Sequence, residues 1–118
     1  MDGALHFGGT ALPYDELHAR AQRVAQGFAR AGVRAGDTVA ILLKNHPAFL
    51  EAMLGARRLG AHWCPVNWHF KAEEAGYILR DCGARVLLAG DELLEGVRAG
   101  LPPGLEVVPL SAWDAWRD

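Results

Sequence analysis

The chain has 118 residues, 51% hydrophobic and 22% charged, a balance that suits a folded globular chain and opposes disorder. A formal net charge of -2 excludes the basic footprint of a nucleic-acid or anionic-membrane binder, so no nucleic-acid partner is expected. No apolar run approaches the roughly 20 residues of a membrane span, and Met1 to His6 lack a basic segment followed by an apolar core, so no leader and a cytoplasmic location are expected.

The length predicts a single α/β domain over residues 1–118. Gly8-Gly9-Thr10 reads as a turn before a weak strand, too short to cradle a phosphate. Tyr14 to Ala31 carries a helical stripe of Leu17, Ala21, Val24, Phe28 and Ala31. Gly32 sits where a helix C-cap takes a left-handed residue, and Val33 can fold back on the last turn. Val39 to Leu43 is apolar without alternation, as suits a strand covered on both faces.

A second helix is expected after Asn45 as cap, with Pro47 in its first turn and Phe49, Met53, Ala56 and Leu59 inward. His62 to Val66 predicts a short strand ended by Pro65, then a loop from Asn67 to Lys71. Glu73 and Glu74 favour the start of a third helix, with Ile78 and Leu79 packing inward and Gly83 at its end. Arg85 to Ala89 predicts a third strand, Asp91 the cap of a short helix through Val97, and Gly100 to Gly104 a connector. Leu105 to Pro109 predicts a fourth strand, and Ser111 the cap of a last turn carrying Trp113 and Trp116. Helices alternating with short apolar strands predict an α/β fold, a mostly parallel sheet flanked by helices.

Three stretches carry more than composition. They are Leu12-Pro13-Tyr14-Asp15-Glu16-Leu17, Gly32 to Asp37 leading into Val39 and Ala40, and Gly60-Ala61-His62-Trp63-Cys64-Pro65-Val66-Asn67. Asn45, Pro47, Glu74, Tyr77, Ile78, Leu79 and Asp81 extend the pattern in order. Over Ala11 to Glu92 the chain resembles the opening of the AMP-forming acyl-CoA synthetases, the acyl-adenylate ligases. The Pro65-Val66-Asn67-Trp68 form is more similar to the acyl-CoA synthetases than to peptide-synthetase adenylation domains, which more often carry Asp near Asn67.

The resemblance implies an enzyme that joins a carboxylic acid to CoA through an acyl-adenylate, using ATP and Mg2+. It also implies a phosphate loop near Pro-Lys-Gly, a Thr-Glu element and a lid lysine, none of which appears in these residues. The chain is therefore expected to be the N-terminal scaffold of a longer ligase, without catalytic residues and without catalytic competence alone. The alternatives are a stand-alone α/β nucleotide- or ligand-binding module, weakened by the missing Gly-rich fingerprint, and a split-enzyme or assembly subunit.

Two departures from the family pattern have physical content. Pro13 stands where a Thr or Ser would complete a capping box with Glu16, so the first helix should start slightly less stably. His69 stands where many relatives carry an arginine that, in some CoA ligases, lies near the CoA phosphates. The resemblance therefore makes His69, assisted by Lys71, a weak candidate CoA-facing pair.

His62, Cys64 and His69 invite a metal reading, but no further ligand stands at zinc-site spacing and no metal is expected. Cys64 and Cys82 are far apart, lack a neighbouring base, and read as reduced core thiols. Trp113 and Trp116, three apart, would share a helix face. Left uncovered, that face predicts self-association through exposed apolar surface.

Overall fold

A computed structural model describes residues 3–118; Met1 and Asp2, the first residues of the stretch read for a leader, lie outside the described residues. The chain opens with a hairpin of β1 (Ala4–Phe7) and β2 (Thr10–Pro13), paired antiparallel with Phe7 opposite Thr10. Gly8 and Gly9 form its two-residue turn, with φ of 52° and 79°, the doubly positive pattern of a type I′ turn. The sequence reading placed the turn but not β1.

Helix α1 (Tyr14–Arg30) follows directly. Leu17, Ala21, Val24 and Phe28 are buried as the periodicity requires, and Ala25 and Gly27 join them. Gly32 takes φ 90°; its N–H donates to the Ala29 carbonyl at 3.0 Å, and that of Val33 donates to the Phe28 carbonyl at 2.9 Å. Those two bonds make a Schellman C-cap, and Val33 is buried as expected. At the other end Pro13 is the N-cap residue and makes no side-chain cap bond.

Four parallel strands form the main sheet in the order β4-β3-β5-β6: β3 (Thr38–Leu42), β4 (His62–Pro65), β5 (Ala84–Ala89) and β6 (Glu106–Pro109). Helix α2 (Pro47–Arg58) joins β3 to β4, α3 (Ala72–Asp81) joins β4 to β5, and α4 (Asp91–Val97) with a 3-10 turn joins β5 to β6. A second 3-10 turn (Leu110–Ala112) leads into α5 (Trp113–Arg117).

Strand periodicity divides the core in two. Val39 and Ile41 of β3 pack with Val86 and Leu88 of β5 and with Val24, Phe28, Ala52, Ala56 and Trp113. Ala40 and Leu42 pack with Leu87 and Ala89, and with Ala75 and Leu79 of α3 and Leu94 and Val97 of α4. Both faces of β3 and β5 are covered, which is why they read as unbroken apolar runs.

Several expectations change in the structure. His46, not Asn45, caps α2: its Nδ1 accepts from the Ala48 N–H at 3.0 Å. The buried face of α2 is Ala48, Glu51, Ala52, Gly55 and Ala56, while Phe49, Met53 and Leu59 are half-buried. Small side chains let α2 lie close to α1, so the inward stripe contains the smaller residues.

Asp91 does not cap α4. Its carboxylate instead accepts from the Ser111 N–H at 2.9 Å and from the Ser111 hydroxyl, so Ser111 is not the cap of α5 either. Trp113 is 1% exposed, and Trp116 is half-buried, stacked on Trp113 at 5.2 Å and close to Phe28 at 5.5 Å. The tryptophan face is covered by the chain's own α1, so the patch inferred for self-association is not exposed.

Glu51, 2% exposed, receives two side chains of α5. Its Oε1 accepts from Trp113 Nε1 at 3.0 Å and from Arg117 Nη1 at 2.8 Å, while Arg20 of α1 approaches Oε2 at 3.5 Å. Burial works against the charged Arg117 guanidinium. Hydrogen bonds to Asp118 and Glu51, with the Glu51 and Asp114 charges, outweigh it and raise its pKa.

Candidate functional site

In an open parallel sheet, ligand contacts gather where strands end at their C-termini and neighbouring connections diverge. Here β3 connects to β4 on one side, and β5 lies on the other. The ends of β3 and β5 therefore flank such a divergence. A cleft of about 260 Å3 lies there, between Leu43-Lys44-Asn45-His46 after β3 and Gly90 to Leu93 after β5, with Leu110 at its margin. Backbone bonds hold the crevice: the Gly90 N–H donates to Leu42 at 2.9 Å and the Val66 N–H donates to Ile41 at 2.8 Å.

A second cleft of about 400 Å3 opens between the hairpin and the start of α2. Leu5, Phe7, Leu43, Phe49 and Leu50 line its apolar part, and Lys44, Asn45 and His46 its polar part. The His46 ring packs edge-on to Phe7 at 5.3 Å. The hairpin thus completes a wall of a cleft centred on the end of β3.

The predicted loop from Asn67 to Lys71 rises beside β3's end. Asn67 Oδ1 accepts from the His69 N–H at 2.9 Å, and the Asn67 carbonyl accepts from the Phe70 N–H at 3.0 Å. These are an Asx turn and a β-turn on one residue. Phe70 is anchored in the core on the α3 side. Glu74 reaches back to the Lys71 N–H at 3.2 Å, fixing the start of α3.

This scaffold presents Trp68, 42% exposed, with the His69 ring stacked on it at 3.7 Å and the Lys44 ammonium 4.6 Å from its ring centre. Such cation–aromatic contacts are worth roughly 0.5–1 kcal/mol at exposed sites. His69 is therefore part of a cation–indole–imidazole stack. Lys71, also exposed, follows on the same loop. Sequence reasoning named His69 and Lys71 but missed Lys44 and Trp68. The available signal for Lys44 was its place one residue beyond the buried run of β3.

Asp91 stands across the crevice at the start of α4. Hydrogen bonds from Ser111 hold its carboxyl below the usual carboxylate range. Among the described residues, no group of three or more His, Cys, Asp and Glu is placed to hold a metal ion, so His62, Cys64 and His69 do not converge. Cys64 and Cys82 are half-buried and not deep core thiols; burial and the neighbouring Cys82 thiol push Cys64 up to about 11.

The edge of the sheet can stack a planar group and offer positive charge to an anion. Gly8 and Gly9 are committed to the hairpin turn and, among the described residues, build no phosphate cradle there.

The family model described as AMP-binding enzyme matches residues 2–114. The chain belongs to the AMP-binding enzyme family. It is 43% identical over 115 residues to a feruloyl-CoA synthase of Amycolatopsis sp, covering 98% of this chain and 23% of that protein. Among solved structures it is similar to the anthranilate CoA ligase AuaEII in complex with anthranoyl-AMP, with a TM-score of 0.86 and 30% identity, covering 97% of this chain and 23% of that one. A benzoate CoA ligase of Burkholderia xenovorans shares the fold at TM-score 0.91 and 21% identity, covering 98% of this chain and 25% of that one. The chain thus spans about a quarter of the length of these relatives, and its α/β fold with a mostly parallel sheet is that of their N-terminal part. Membership of the family favours the ligase reading over the stand-alone module.

The family uses ATP, and the resemblance adds Mg2+ and CoA. The residues present do not fit Mg2+ or the ATP phosphates: no acidic cluster or glycine cradle is built among the described residues. The exposed indole beside the Lys44 ammonium, with Lys71 exposed on the same loop, has the chemistry that a planar base and phosphates would require.

Proposed function

We propose that this chain is the N-terminal scaffold, as a single α/β domain over residues 1–118, of an AMP-forming acyl-CoA synthetase. The complete enzyme would convert a carboxylic acid, ATP and CoA into acyl-CoA, AMP and diphosphate, in the cytoplasm. The observation that carries this reading is the match to feruloyl-CoA synthase across nearly the whole chain but only 23% of the relative. The adenylate forms when the acid's carboxylate attacks the ATP α-phosphorus and diphosphate leaves. CoA thiolate then attacks the acyl carbon and AMP leaves.

This chain's share is support. Its sheet fixes the strand ends, and the loop from Asn67 to Lys71 offers Trp68, His69 and Lys71 to CoA, with Lys44 behind the indole. In the isolated chain, acid-dependent exchange of diphosphate into ATP is expected to be absent; measurable exchange would refute the scaffold role. Calorimetry of the isolated chain with ATP, AMP and CoA tests the stand-alone module, which requires tight nucleotide binding. In the complete enzyme, His69→Arg is expected to lower KM for CoA severalfold with kcat unchanged, because arginine carries a permanent charge and a bidentate fork. An unchanged KM removes His69 from the CoA surface.

A further inference from the structure

Cys64 lies within β4, in register with Ala40 of β3. Side chains in register on neighbouring strands point to the same face. Ala40 belongs to the core that contains Ala75 and Leu79 of α3, so Cys64 rises on the α3 side of the sheet. Cys82 directly follows α3, and its thiol turns back to the Leu79 carbonyl at 3.7 Å. The Cys64 thiol donates to the Pro65 carbonyl at 3.9 Å, and the fold thus sets two cysteines that the sequence keeps far apart on the same side of the sheet, where burial, helped by the Cys82 thiol, raises the Cys64 pKa. Both are free and half-buried, and β4 is an edge strand open to small reagents.

We propose that Cys64 and Cys82 form a reversible intramolecular disulfide, with a small-molecule disulfide as oxidant, that fastens β4 to the end of α3. The Cys82 thiolate attacks the reagent and releases one thiol. The Cys64 sulfur then attacks the mixed disulfide at Cys82, gives up its proton to solvent and releases the second thiol. Two protein thiols are oxidised and one reagent disulfide is reduced to two thiols, so atoms and electrons balance. Burial and the adjacent thiol keep Cys64 protonated near neutral pH, which makes it the resolving and not the opening partner. The closed ring contains the whole loop from Asn67 to Lys71 and α3, so oxidation restricts the segment that carries Trp68 and His69. The chemistry stands whether or not that loop contacts CoA.

The test is titration of the folded 118-residue chain with glutathione disulfide, read by free-thiol count, intact mass and non-reducing peptide mapping. The expected result is a fall from two free thiols to none with no glutathione retained, a Cys64–Cys82 linked peptide, a monomer, and reversal by dithiothreitol. Cys64→Ser is expected to retain one glutathione at Cys82, Cys82→Ser to react little because Cys64 stays protonated, and neither to form a ring. Glutathione retained on both wild-type cysteines overturns the proposal. So do disulfide-linked dimers, or thiols that react only after the chain is unfolded in urea. If a serine variant misfolds by circular dichroism, the wild-type peptide map still decides.

Discussion

The face of the sheet under α1, α2 and α5 is closed by aromatic and small side chains and one buried carboxylate, whereas the face under α3 and α4 is closed by aliphatic side chains and a backbone contact. On the first face Gly55 lets α2 approach Val24 and Ala25 of α1, and Glu51 gathers Trp113 and Arg117 from α5. On the second, Leu79, Leu94 and Val97 fill the core, and the segment after α4 rests on α3. A Cβ on Gly100 would collide with the Ala72 carbonyl, and one on Gly76 would collide with the Gly100 carbonyl. Both faces exclude β-carbons at close contacts, Gly55 against Val24 on the first and Gly100 against Ala72 on the second, but the buried carboxylate with its charged partner belongs to the first. Their weak points therefore differ in kind.

The largest expected effect tests the charged face. Arg117→Met leaves Glu51 buried beside Trp113 and a distant Arg20, and is expected to cost about 3 kcal/mol in urea unfolding. Adding Glu51→Leu should recover part of that loss, because the unmatched charge is removed while the buried Trp113 Nε1–H loses its acceptor. A double variant as unstable as the single one would show that packing, not charge, secures α5. On the other face, Gly100→Ala is expected to cost about 2 kcal/mol by forcing backbone apart. An unchanged midpoint would mean that the connector moves freely off α3.

Pro13→Thr supplies the missing N-cap hydroxyl to α1 and is expected to stabilise by about 1 kcal/mol. A lower melting temperature would show that the rigid φ of Pro13, -59°, matters more at the hairpin–helix junction. The smallest effect concerns the crevice. Because Ser111 depresses the Asp91 pKa, the link contributes stability that is present above the ordinary carboxylate range and is lost as pH falls through the folded pKa. Ser111→Ala should therefore narrow the difference in melting temperature between neutral pH and pH values below about 4. Equal pH slopes in both proteins would remove this link.

Much of the fold was legible from residue order. Val39 to Leu43 and Arg85 to Ala89 announced strands covered on both sides. Gly32 and Val33 announced the end of α1, and Glu74 the start of α3. The α2 face misled because the largest apolar residues, Phe49 and Met53, were taken as the inward ones. Close helix packing selects small residues instead, and it admitted Glu51 because partners from α5 and α1 arrive there. Asp91 looked like a cap because capping is a local rule, while its observed partner, Ser111, comes from a later turn. His69 was found through resemblance. Lys44 and Trp68 were missed because their contact spans two strand ends.

The sequence by itself determined the alternation of helices and strands, the double coverage of the central strands and the family, because these follow from periodicity, turn residues and ordered short motifs. Tertiary structure alone decided which tryptophans are hidden, which charge the core accepts and which two thiols meet. Those outcomes depend on elements far apart in the chain arriving at one place, and no local pattern encodes that arrival.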